Sequence, residues 1–158
     1  MDKIVFITGA SSGIGAGCAR KFASQGASLI LNARNVNKLS ALKEELEKQY
    51  GAKIYLLPFD VRDRKAATSA LESLPKEWQS IDILVNNAGL VIGTDKEQEG
   101  SLDEWDIVID TNVKALLAMT RLIVPGMVER KRGHIINIGS IAGDAAYPGG
   151  SVYCATKA

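Results

Sequence analysis

The chain has 158 residues, 46% hydrophobic and 23% charged, with 19 Lys plus Arg against 18 Asp plus Glu and a formal net charge of +1. That length suggests one domain able to bury roughly 68–70% of its unfolded surface, and the composition excludes a disordered chain or a disulfide scaffold. The even charge gives no reason to expect nucleic acid or an anionic membrane, and no apolar run approaches the ~20 residues of a membrane span.

In chain order, a strand is expected at residues 4–8, running into a glycine-rich turn. This run is too short for a signal-peptide core and lacks a cleavage site. A helix over 13–25 follows and stops at Gly26. A second strand at 28–32 leads to a helix over 35–50, with Asn35 as N-cap and Gly51 just past its end. A third strand at 53–57 precedes a helix over 62–74 that stops before Pro75. A fourth strand at 81–85 is followed by the longest helix, about 102–129. Ser101 and Glu104 stand at capping-box spacing at its start, and Pro125 should kink its last turns. The fifth strand lies at 134–138, and a last helical stretch starts near Gly150.

Each strand run is mostly apolar rather than alternating, as strands covered on both faces require. Strand–helix alternation predicts an α/β fold with a doubly wound parallel sheet of about five strands and right-handed crossovers. An antiparallel arrangement would need hairpin turns that are absent. No repeat, low-complexity tract or linker divides the chain, so residues 1–158 are read as one domain, with the fifth strand at an edge or only partly covered. Cys18 and Cys154 are too few for a disulfide framework and suit a reduced, cytoplasmic setting. His134 is the only histidine, so no metal cluster can be built around it.

Thr8-Gly9-Ala10-Ser11-Ser12-Gly13-Ile14-Gly15 joins the first strand to the first helix. Gly9 permits the tight turn, Gly13 lets a phosphate approach the backbone, and Gly15 allows close helix–strand packing. The helix N-terminus then offers free N–H groups and partial positive charge to a pyrophosphate. The spacing is G-x-x-x-G-x-G, and no Lys follows the last Gly, so it is not a P-loop. A tight turn without a ligand is the plainer alternative.

Four further segments stand with this turn. Asp60-Val61 ends the third strand, Asn86-Asn87-Ala88-Gly89 ends the fourth, and Ser140 follows the fifth. Tyr153-Cys154-Ala155-Thr156-Lys157 supplies a Y-x-x-x-K. In this order they resemble the short-chain dehydrogenase/reductase family over the whole chain. That resemblance implies a Rossmann-type dinucleotide-binding fold. Asn86 to Leu90, Met127 to Arg130 and His134 to Ser140 are similar to one branch, the NADP-dependent 3-hydroxy acid dehydrogenases. This branch acts on small hydroxy acids such as serine and allo-threonine.

The resemblance makes Tyr153 the general acid/base. A free phenol is a poor base near neutrality, and making it one takes about 4 kcal/mol of phenolate stabilisation. Lys157 lies four residues on, on the same helix face, and its ammonium favours phenolate. The family reading also gives Lys157 the nicotinamide ribose hydroxyls, Ser140 the substrate oxygen, and Asn112 the position of a water that continues the proton relay. Ser140 and Tyr153 are thus the expected substrate contacts. Singly, each has a plainer reading: Tyr153 as an interface aromatic, Lys157 as a solvated charge, Ser140 as a strand-end cap, Asn112 as a polar helix residue.

The expected cofactor contacts are Gly9, Ala10, Ser11, Ser12, Gly13, Ile14 and Gly15 in the turn, with Arg34, Asp60, Val61, Asn87, Ala88, Gly89, Tyr153 and Lys157. An NAD enzyme would place Asp or Glu after the second strand. Here Leu31-Asn32-Ala33-Arg34 has no acid there, and the Arg34 fork suits a 2′-phosphate, so NADP(H) is expected ahead of NAD(H). Asp60 either bonds the adenine amino group or is the N-cap of the third helix. Asn86 is read as pinning neighbouring strands.

The resemblance further implies that this chain is the N-terminal part of a longer family domain that assembles as a homodimer or homotetramer. The surplus apolar surface of the fourth helix fits such an interface. The reading is an NADP-dependent oxidoreductase that transfers a hydride to or from a small hydroxy acid, alcohol or carbonyl. The alternatives are an inactive NADP-binding fragment and an assembly-only partial product.

Overall fold

A computed structural model describes residues 2–158. Five strands form one sheet: β1 (Ile4–Ile7), β2 (Ser28–Leu31), β3 (Ile54–Leu56), β4 (Ile81–Asn86) and β5 (His134–Asn137). The order is β3-β2-β1-β4-β5 and every pairing is parallel. Side-chain alternation splits the strands between two cores. Val5, Ile7, Leu29, Leu31, Ile83 and Val85 face one side with Ala19, Leu39 and Leu46; Phe6, Ile30 and Leu84 face the other with Ala67, Met119 and Ile123. Helices α1 (Gly13–Ser24) and α2 (Val36–Tyr50) cover the first side. Helix α3 (Arg64–Glu72) and the later helix α5 (Ala115–Glu129) cover the second. This is the doubly wound α/β sheet that the apolar runs predicted. β5 lies at the edge, and three of its four residues are exposed.

Helix α2 starts as expected: the Asn35 side chain accepts from Lys38 N at 3.0 Å, and Gly51 closes the helix in the left-handed region at φ +62°. The third helix departs from expectation. Its cap is Asp63, which accepts from Ala66 N, so Asp60 does not cap it. Asp60 instead closes a turn onto Arg62 N at 3.0 Å.

The long helix expected at 102–129 is present as one continuous helical run with a π turn inside it. Helix α4 (Leu102–Ile109) is capped by Ser101, a π turn follows at Asp110–Lys114, and α5 completes the run. The π turn occupies residues 110–114, and the helical run continues through Pro125. Thr111 bonds back to Ile107 O, and Asn112 turns inward to bond Leu90. The wider π turn accommodates that inward side chain. The capping box is half formed: Ser101 accepts from Glu104 N at 3.4 Å. Helix α6 (Ser151–Lys157) completes the described chain.

Candidate active site

The C-terminal strand ends open onto a cleft of about 940 Å³. It lies where the chain reverses its walk across the sheet at β1 and β4, the place where doubly wound sheets bind ligands.

The glycine-rich turn forms the floor. Gly9, Ser11, Ser12, Gly13 and Ile14 line the cleft, whereas Ala10 and Gly15 are buried beneath it. Ala10 N donates to Asn32 O at 2.9 Å. Gly9 stands at φ +62°, and a Cβ there would lie 2.9 Å from Ala88 Cα. At Gly15 a Cβ would overlap the Gly9 carbonyl oxygen and lie 2.5 Å from Asn87 Nδ2. Close packing at Gly15 is therefore against the turn itself and the loop after β4. Gly13 has φ +52° and open space around it. Ser12 caps α1 through its backbone only, so the first N–H groups of α1 have no side-chain acceptor there.

The turn is tied to the loop after β4. Thr8 Oγ1 accepts from Asn87 N at 3.0 Å and Ala88 N at 2.9 Å. In return, Asn87 Nδ2 donates to the carbonyls of Thr8 and Gly9, both at 3.0 Å. Asn87, Ala88 and Gly89 all line the cleft. Asn86 points the other way. Its Nδ2 donates to Asn137 Oδ1 at 2.9 Å and Thr120 Oγ1 at 3.0 Å, tying β4 to β5 and α5.

Arg34, Asp60 and Val61 line the end of the cleft near β2 and β3. The exposed Arg34 guanidinium makes no hydrogen bond or ion pair among the described residues. Asp60 is engaged by Arg62 through both oxygens, at 2.7 Å for Nη2 to Oδ2. These bonds hold the carboxyl below its usual range; partial burial opposes the shift, and Arg34 adds to it. Arg62, Lys38, Phe59 and Asn32 also line the cleft, and sequence reasoning passed over all four as site residues. Arg62 had one available signal: it follows Asp60-Val61 directly.

Tyr153 and Lys157 line the opposite end. One helical turn apart on α6, they share a face. Lys157 Nζ donates to Ile138 O at 3.0 Å, and Tyr153 is half-buried with no hydrogen bond from its hydroxyl among the described residues.

Asn112 and Ser140 do not line the cleft. Asn112 is buried behind Leu90: its Oδ1 accepts from Leu90 N at 2.9 Å, and its Nδ2 donates to Leu90 O and to Thr156 Oγ1. Ser140 Oγ accepts from Ala142 N at 3.1 Å, which leaves its hydroxyl proton free. No helix among the described residues is long and apolar enough to cross a membrane.

A parallel sheet in this order, with the glycine-rich turn, Asn87 loop, Tyr153 and Lys157 around one cleft, is a Rossmann-type arrangement. The chain belongs to the short chain dehydrogenase family, whose model matches residues 3–158. It is 50% identical over 155 residues to an NADP-dependent 3-hydroxy acid dehydrogenase of Escherichia coli strain K12. That alignment covers 98% of this chain and 61% of the relative, so the chain spans about three fifths of the relative's length. A crystal structure of serine dehydrogenase from Escherichia coli superposes with a TM-score of 0.91 at 50% identity, covering 98% of this chain and 69% of that one. The closed form of a serine dehydrogenase complexed with NADP+ gives 0.90 at 49% identity, covering 98% and 60%.

Proposed function

We propose that the chain carries the cofactor cleft and catalytic side chains of an NADP(H)-dependent oxidoreductase acting on a small hydroxy acid and its carbonyl counterpart. One observation carries the reading: the uncapped α1 N-terminus, the unpaired Arg34 and the Tyr153–Lys157 pair face the same cleft. The names of the relatives support the cofactor and the substrate class.

The cleft fits such a dinucleotide. Backbone N–H groups at the start of α1 bind the pyrophosphate, and an anion there meets no acidic residue in the first turn. Arg34 takes the 2′-phosphate with its planar fork. Asp60 and Val61 flank the adenine, and Asn87 to Gly89 offer backbone beside the second ribose. Bound NADPH supplies the hydride. Tyr153 Oη gives a proton to the substrate oxygen in reduction and takes it back in oxidation. Lys157, already held by Ile138 O, places its positive charge beside that oxygen and favours the phenolate. Ser140 accepts from Ala142 N, which orients its Oγ, and its hydroxyl proton would be donated to the substrate oxygen. Asn112 has both amide donors and one acceptor position committed to Leu90 and Thr156, so its side chain fixes the loop and α6. The domain is read as one dinucleotide-binding unit. Its dimer or tetramer would form over the exposed Leu117 and Val128 of α5.

The test is Tyr153→Phe, assayed by NADP+-dependent oxidation of serine and 3-hydroxypropionate and by direct NADPH binding. Loss of turnover with binding retained is expected. Undiminished turnover in the variant overturns the assignment.

A further inference from the structure

Asn32 sits at the exit of β2, wholly buried, and lines the cleft between the turn and the Arg34 end. Its Nδ2 donates to Leu57 O at 3.0 Å and to Phe59 O at 3.1 Å, both in the segment that leads from β3 to Asp60. Its own carbonyl accepts from Ala10 N at 2.9 Å. One residue therefore joins three segments: the glycine-rich turn, the β2 exit that carries Arg34, and the β3 exit that carries Asp60 and Arg62.

The amide orientation is fixed by this pattern. Two carbonyls face one end of the side chain, so that end must be the NH2 group. Oδ1 is left buried with no hydrogen-bond partner among the described residues. A lone buried acceptor is costly to a fold, and an apolar residue of similar shape would avoid it. General packing therefore does not explain an amide here. The two donated bonds do, because they hold together the backbones that carry the charged groups of this end of the cleft.

We infer that Asn32 is a positioning residue for cofactor choice: it sets the spacing between Arg34 and the Asp60–Arg62 pair into which a 2′-phosphoadenosine must fit. The inference rests on the NADP(H) reading above and adds to it a residue that touches neither the phosphate nor the reacting atoms. If the brace is cut, the β3 exit is freed from the β2 exit. Affinity for the 2′-phosphorylated nucleotide then falls more than affinity for its parent nucleotide.

The experiment compares 2′,5′-ADP with 5′-AMP, two ligands that differ only in the 2′-phosphate, by titration calorimetry on the 158-residue chain. Asn32→Leu keeps the size and removes both donors; Asn32→Thr keeps one donor and serves if the leucine variant does not fold. The expected result is a 2′,5′-ADP preference in the parent that shrinks at least threefold in Asn32→Leu, with Asn32→Thr between. Equal weakening of both ligands, or an unchanged preference, overturns the brace while leaving the NADP(H) reading intact. A parent that binds the two ligands equally overturns that reading and the inference with it.

Discussion

Gly15 and Gly17 lie two residues apart on α1, yet replacing each by alanine should act in opposite directions. Alanine in a helix interior is favoured over glycine by about 1 kcal/mol. At Gly17, which is exposed and has nothing within 4 Å of where a Cβ would stand, that gain is realised in full. At Gly15 the same methyl overlaps the Gly9 carbonyl and presses on Asn87 Nδ2, the group that ties the turn to the loop after β4. Overpacking of this kind costs about 1–3 kcal/mol, and each displaced hydrogen bond adds about 1 kcal/mol. The net for Gly15→Ala is a loss of about 2 kcal/mol. In a chain of this size 1 kcal/mol moves the midpoint by about 2–4 °C, so Gly15→Ala should melt about 4–8 °C lower and Gly17→Ala about 2–4 °C higher. Thermal unfolding followed by circular dichroism reads both, with NADPH binding measured alongside. Binding should fall in Gly15→Ala, whose turn must move, and hold in Gly17→Ala. Equal melting points in the two variants would refute the claim that close approach at the turn requires Gly15.

Arg34→Ala removes a charge-assisted contact worth ~1.5–3 kcal/mol, so NADPH affinity should fall about 10- to 150-fold while NADH affinity changes little; fluorescence titration with both cofactors checks it. Asp60 is held in its ionised form by Arg62, so its contribution to stability is full above the unfolded value of about 3.9 and is lost as pH falls through the lower native value. The stability gap between the parent and Arg62→Ala should accordingly be flat above about pH 5 and close in stronger acid, as urea midpoints across that range would show. Glu45 follows the same sign through its bidentate contact with Arg20, at 2.6 and 2.8 Å between α1 and α2. Because both side chains are largely solvated, Glu45→Gln should shift the neutral-pH midpoint only slightly, by less than about 1 kcal/mol in urea titration.

The sheet was legible because its strands are short, mostly apolar runs, and β1, β2 and β4 are buried on both faces, a pattern that neither amphipathic helices nor hairpins share. The expected strands run one residue too far at Thr8 and Asn32. Both still donate their backbone N–H to the neighbouring strand, while their side chains bond the loops beyond it, and alternation carries no trace of that. The glycine-rich turn, Tyr153 and Lys157 were legible because their spacing is local. The π turn was not, because residues 110–114 contain neither Gly nor Pro; it accompanies the bond between Asn112 and Leu90, twenty-two residues away in the chain. Arg62, Lys38 and Asn32 were missed for the same reason: only the parallel β2–β3 pairing brings them to one cleft.

The division of labour among the polar groups follows from where each sits. Thr8, Asn32, Asn87 and Asn112 are mostly buried at or behind the strand ends, and their side chains bond the backbone of another segment. They make the cleft wall stiff without placing charge in it. Charge is confined to the two ends, Arg34, Lys38 and the Asp60–Arg62 pair beyond β2 and β3 and Lys157 anchored beyond β5. The strand order puts three intervals between β2 and β5, about 14 Å at the usual strand spacing. Between them lie the backbone donors of the turn and of α1, with the uncharged side chains of Ser11, Ser12 and Asn87. A mononucleotide can engage one end of such a cleft, whereas a dinucleotide with an anionic terminus engages both. In the proposed reading, its second ribose would then come to the side of Tyr153 and Lys157, and strand spacing would set the length of ligand that joins binding to chemistry.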